Sequence, residues 1–127
     1  MTERDAVQIL DAGPLCPKLD IVAGAGEARA VVWPGVGATE RSLHRIDLAP
    51  GSSTVALSHP SETVYFVIEG GGAAIDLDLD REHELVAGSM TLMDPNTSYR
   101  LRAGDAGMLV VGGPCPPDPA LYDYLDR

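Results

Sequence analysis

Short apolar runs separated by glycines and prolines set the pattern of this chain, and their spacing predicts strands rather than long helices. The most continuous of them, Thr63 to Ile68, mixes β-branched, aromatic and aliphatic residues and runs into Gly70-Gly71-Gly72. It reads as a strand buried on both faces that ends in a sharp turn. Ahead of it, Val7 to Leu10 reads as a short edge strand and Asp11 to Lys18, with Gly13, Pro14 and Pro17, as a loop. Ala28 to Trp33 is a strand stopped by Pro34-Gly35, Glu40 to Leu48 a second ended by Ala49-Pro50-Gly51-Ser52, and Ser53 to Ser58 a third.

Beyond the three glycines, Ala73 to Asp80 alternates Ile75, Leu77 and Leu79 with Asp76, Asp78 and Asp80. This pattern predicts a half-buried antiparallel strand whose aspartates form the wet face. Carboxylates two residues apart on a strand stand in a row roughly 7 Å apart, so they do not converge on a cation. Arg81 to Glu84 reads as a charged turn that leaves His83 in solvent. Met90 to Met93, Tyr99 to Arg102 and Met108 to Val111 complete the strands, and Gly112 to Pro117 falls outside them. Asp118 is placed as an N-cap before Pro119, opening a short helix to Leu125 that turns Leu121, Tyr122 and Leu125 toward the barrel or a partner.

Some nine short strands and one terminal helix describe an all-β sandwich or small barrel. With 127 residues, no internal repeat and no linker, residues 1–127 are read as a single domain, its barrel core about 28–113 and its tail 114–127. Charge narrows the partners. Nine basic residues against nineteen acidic ones leave a net charge of −10, which excludes nucleic acid and anionic membrane as surfaces to bind. No apolar run approaches the roughly 20 residues that span a bilayer. The first residues are charged with both signs and carry no apolar core, which gives the expectation of a cytoplasmic protein. Cys16 and Cys115, unclustered and beside prolines, are expected as free thiols.

From about Ala28 to Gly113 the chain resembles the cupin superfamily. That family's first motif, Gly-x5-His-x-His-x3-Glu-x6-Gly, is matched in spacing by Gly51, Leu57, His59, Thr63 and Gly70. The second, Gly-x5-Pro-x-Gly-x2-His-x3-Asn, begins at Gly88 and continues through Asp94, Pro95, Asn96 and Tyr99. The resemblance implies a jelly-roll antiparallel β-barrel and a homodimer formed by strand packing. It also implies that Leu57, His59, Thr63 and Tyr99 occupy the four positions at which the family holds a divalent metal. Leucine offers no lone pair, and a threonine hydroxyl and a neutral phenol are poor ligands, so the metal site is degenerate and neither metal nor other cofactor is expected. A second metal set, His44, His59 and Glu62, requires a bulge after Pro60, because Glu62 is one residue out of register.

In the family's register Leu57, His59, Thr63, Tyr65 and Val67 face inward, opposite Tyr99. His59 as general base and Tyr99 as general acid then act without metal on a small organic molecule, by isomerisation, cyclisation or elimination. Trp33, His44, Leu57, Thr63 and Tyr65 complete the substrate pocket in this reading. Two alternatives stand beside it: a binding module that holds a small molecule without turnover, and a core in which His59 only hydrogen-bonds Tyr99 or Thr63. Arg45 and Arg100 are either clamps for a carboxylate or solvated surface groups.

Overall fold

In the computed structural model, which describes residues 6–126, nine strands form an all-β, nearly closed antiparallel barrel. They are β1 (Lys18–Leu19), β2 (Val22–Ala23), β3 (Gly26–Val32), β4 (Leu43–Leu48), β5 (Ser53–Thr54), β6 (Glu62–Asp76), β7 (Arg81–Val86), β8 (Met90–Met93) and β9 (Tyr99–Cys115). Two 3₁₀ segments, Pro34–Val36 and Pro119–Asp126, complete the elements, so the expected terminal helix is a 3₁₀ run. Among the described residues no helix is long and apolar enough to cross a membrane.

The two long strands organise everything else. β6 and β9 pair along most of their length, from Glu62↔Cys115 to Asp76↔Tyr99. On its other edge β9 takes β4 and β5, and the ladder continues from β4 through β3 to β1. The free edge of β6 takes β8 along Thr63 to Phe66 and β7 along Gly71 to Asp76. β7 and β8 follow one another along the same edge of β6 and pair with no other strand among the described residues, which leaves their outer edges open.

This pairing corrects several boundaries expected from sequence. The three glycines are strand, not turn. Gly70 has a positive φ of 73°, and a Cβ there would lie 2.1 Å from the carbonyl oxygen of Gly107, so only glycine lets the backbones meet as β6 shifts register against β9. Asp76 to Asp80 is not a wet strand face: β6 ends at Asp76, whose Oδ1 accepts hydrogen bonds from the amides of Asp78 and Leu79 and fixes a turn. Arg81 to Glu84, read as a turn, is strand β7. Gly112 and Gly113, placed outside any strand, lie within β9. Of Ser53 to Ser58 only Ser53–Thr54 is strand, joined by an isolated bridge from Leu57 to Tyr99. Val7 to Leu10 forms no strand, with Val7 74 % and Ile9 81 % exposed.

Alternation along β6 and β9 decides where the core sits. Thr63, Tyr65, Val67, Tyr99, Leu101 and Val110 are buried inside, joined by Ile46 and Leu48 of β4 and Ala28 and Ala30 of β3. Leu121 and Tyr122 of the terminal 3₁₀ segment belong to the same cluster, with Leu125 packed against it, as the apolar pattern of the tail requires.

Candidate functional site

The inward positions of the first motif fall as the register dictates: Leu57, His59, Thr63 and Tyr65 are all buried. Leu57 exchanges backbone hydrogen bonds with Tyr99, which draws the segment carrying His59 against the start of β9. His59 and Tyr99 therefore meet inside the barrel, with 2.8 Å between Nε2 and the phenol oxygen. A second phenol, Tyr65, lies 2.6 Å from the first, oxygen to oxygen. On the far side of the ring, Nδ1 lies 2.8 Å from Oδ2 of Asp118.

The direction of every proton in this chain follows from one acceptor. An ionised carboxylate only accepts, so Nδ1 of His59 carries a hydrogen and donates it to Asp118. In the neutral ring Nε2 is then a lone pair, and Tyr99 donates to it. The Tyr99 oxygen in turn accepts from Tyr65. Burial, reinforced by Tyr65 and by the charge of Asp118, raises the ionisation of Tyr99 far above that of a free phenol. Burial also raises that of Tyr65 to about 12. Both phenols are therefore neutral donors at physiological pH.

Asp118 was read from sequence only as a cap. It is one: Oδ1 accepts from the amide of Ala120 at 3.1 Å. The other oxygen reaches His59, so the turn that fixes the carboxylate also aims it at the imidazole. The cap signature gives no hint of this second contact; only burial of the covering segment, where a polar side chain needs an interior partner, calls for one.

His44 is 1 % exposed and is bound differently. Its Nε2 lies 2.6 Å from the hydroxyl of Tyr122, while Nδ1 has no partner. Burial first, and the nearby His59 second, hold its protonation down to about 4. The ring of Tyr122 lies 5.2 Å from that of Trp33, tilted by 43°, so Trp33 supports the terminal segment. Thr63 turns its hydroxyl to the carbonyl of Ser61. Arg45 pairs with Asp47 at 3.7 Å, and Arg100 is exposed.

A cavity of about 510 Å³ opens beside the unpaired edges of β7 and β8. Of the side chains expected to form the pocket, only Tyr99 lines it; His59, Trp33, His44, Leu57, Thr63 and Tyr65 do not. His83, expected as an exposed turn residue, is exposed but belongs to β7 and lines this cavity.

The barrel has close counterparts among solved structures. A cupin-like protein from Thermotoga maritima superposes with a TM-score of 0.67 at 20 % identity, covering 93 % of this chain and 84 % of that one. An RmlC-like cupin from Shewanella frigidimarina gives 0.66 at 17 %, covering 87 % and 92 %. The fold is that of the cupins. Ectoine synthase from P. lautus shares it at a TM-score of 0.64 and 19 % identity, over 85 % of this chain and 77 % of that one. No family model and no curated protein matches the chain.

The motif resemblance implies a divalent metal, and the interior chemistry here does not fit one. At the four cupin ligand positions stand Leu57, His59, Thr63 and Tyr99. The one good donor, His59, has both ring nitrogens engaged, by Asp118 and by Tyr99. Glu62, required by the alternative set with His44 and His59, is exposed next to buried Thr63, on the opposite side of the strand. Among the described residues no three of His, Cys, Asp and Glu converge as a metal-binding group.

Proposed function

We propose that this cupin barrel is a metal-independent acid–base enzyme acting on a small organic molecule, of the isomerase, cyclase or lyase type. The observation that carries the reading is the unbroken chain Asp118–His59–Tyr99–Tyr65, of which Tyr99 lines a cavity. In an isomerisation the phenol oxygen of Tyr99 takes a proton from one substrate carbon while its own proton passes to Nε2 of His59. The imidazolium is paired with Asp118, and reversal of the two transfers delivers the proton to a second carbon. The phenol stays neutral between turnovers, as burial requires. His59 is the base and Tyr99 the group at the substrate; Tyr65 steadies the charge on the Tyr99 oxygen while its proton is in transit. Turnover of candidate substrates by wild type, Tyr99→Phe and His59→Ala tests this. Activity lost in both variants with the fold intact supports it, and activity retained by Tyr99→Phe ends it.

A second reading, a binding module without turnover, draws on a specific feature: His59 is only 4 % exposed and does not line the cavity. Binding without turnover in the wild type, unchanged by His59→Ala, supports that reading.

We further propose that the protein is a homodimer. Val64, Phe66 and Ile68 project from the outer face of β6, and Val64 and Phe66 pair directly with Leu92 and Met90 of β8. Five exposed apolar side chains on one sheet face form a surface that a second copy would cover. Sedimentation of the protein as a monomer at micromolar concentration would refute the dimer.

A further inference from the structure

The unpaired outer edges of β7 and β8 have a consequence for what reaches Tyr99. On β7, Arg81, His83 and Leu85 pair with Asp76, Ala74 and Gly72 of β6, and these pair in turn with Tyr99, Leu101 and Ala103 of β9. Residues directly opposite each other in a ladder share a face, so His83 stands on the same concave face as Tyr99. From β8, Thr91 and Met93 pair with Tyr65 and Thr63 and present the same inner face. The cavity of about 510 Å³ enclosed by these strands is of the size that holds a small metabolite.

Its walls carry a sign. Asp76, Glu84 and Asp94 line it, and none of the described residues lining it is Lys or Arg. Asp76 is held in place, because its Oδ1 accepts the amides of Asp78 and Leu79, leaving Oδ2 for a ligand. A partly enclosed, carboxylate-lined cleft in a protein of net charge −10 repels anions and concentrates cations.

We infer that this cavity is the ligand site serving Tyr99, that His83 contacts the ligand from the same concave face two strands away, and that the ligand is a small organic cation. The assignment rests on the acid–base reading for its purpose, since Tyr99 is what the cavity leads to, but its test needs no turnover. Matched four-carbon probes of different charge, n-butylammonium, butyramide and butyrate, are titrated into protein carrying ¹³C-methyl methionine, with Met93, on the inner face of β8, as the reporter lining the cavity. The expected result is saturable shifts at the Met93 methyl and at the His83 ring with butylammonium in the millimolar range, with butyramide about tenfold weaker and butyrate weaker still. His83→Ala and Asp76→Asn each weaken butylammonium binding severalfold, His83→Gln recovers part of the loss, and Glu69→Gln, exposed and outside this cavity, changes nothing. Butyrate or butyramide binding as tightly as butylammonium overturns the charge assignment. Saturable shifts unaffected by His83→Ala overturn the role of His83, and no shift at Met93 with any probe overturns the site. Tyr99→Phe separates the two readings: turnover retained by this variant while butylammonium still shifts Met93 removes the acid–base reading and leaves the site standing.

Discussion

Two buried histidines a short distance apart in one barrel have opposite surroundings. His59 has both ring nitrogens engaged, a carboxylate behind it and a phenol in front. His44 has one partner, the hydroxyl of Tyr122, and a bare Nδ1. A proton arriving at His59 meets a counter-charge 2.8 Å away, whereas a proton arriving at His44 meets burial and another imidazole. In the proposed mechanism the difference separates a group that moves protons from one that only fills and orders the core. Both histidines are closed off by the same terminal segment, through Asp118 and Tyr122, so the contrast arises from the partner's chemistry and not from its place in the fold.

Removing the phenol is the strongest way to break that contrast. Tyr99→Phe is expected to reduce turnover by about 10²–10⁴-fold, the usual worth of a positioned proton-transfer group, as read from steady-state kinetics. It also leaves Nε2 of His59 without its donor, which costs roughly 1–3 kcal/mol in denaturant unfolding. Asp118→Asn keeps the shape and removes the charge, so turnover is expected to fall by at least about tenfold while the thermal midpoint moves little. Equal loss on His44→Gln would erase the distinction between the two rings.

The pH dependence of stability sharpens the comparison from the other side. His44 is held down from 6.5 to about 4 in the folded protein, so between those values the unfolded chain binds more protons than the folded one. Stability contributed by the neutral ring is full above pH 6.5 and is lost as pH falls toward 4. The loss amounts to on the order of 3 kcal/mol. Urea unfolding of wild type and His44→Gln across this range is expected to converge as the pH falls, because the variant lacks this share. A constant gap between them would show that His44 does not titrate as described.

Gly113 supplies a subtler probe of the same region. A Cβ there would stand 2.6 Å from Oγ of Ser42 and 3.0 Å from Nδ1 of His44. Gly113→Ala is expected to cost about 1–3 kcal/mol in chemical unfolding, as an overpacked core does, and to affect His44 before His59. The smallest effect on the fold is expected on the outer face, where Phe66→Glu leaves the thermal midpoint of the monomer nearly unchanged and shifts sedimentation from dimer to monomer.

The barrel was legible because its information is local. The register of the cupin resemblance put Leu57, His59, Thr63, Tyr65 and Val67 on the inside, and all five are buried, whereas the apolar run read as buried on both faces leaves Val64, Phe66 and Ile68 exposed on its outer side. The meeting of His59 with Tyr99 followed from the same register. What stayed hidden depends on partners far along the chain. The three glycines of β6 look like a turn because nothing nearby shows that Gly107 and the carbonyl of Arg102 approach them. Val7 to Leu10 alternates like a strand but finds no edge to pair with, and an unpaired strand does not form. Asp118 carries an unmistakable cap signature, yet its second oxygen binds a residue 59 positions away, a contact that no local pattern encodes. His83 was misplaced because four charged residues in a row look like a turn, whereas here they form β7, with His83 lining the cavity.

The central claim is the direction of the protons along Asp118–His59–Tyr99, and long-range ¹H–¹⁵N correlation of the His59 ring at neutral pH reads it directly. The expected result is a ring protonated at Nδ1 with Nε2 a hydrogen-bonded lone pair, whose ¹⁵N shift moves when Tyr99 is replaced by Phe. A ring protonated at Nε2, or an Nε2 shift indifferent to Tyr99→Phe, would contradict it.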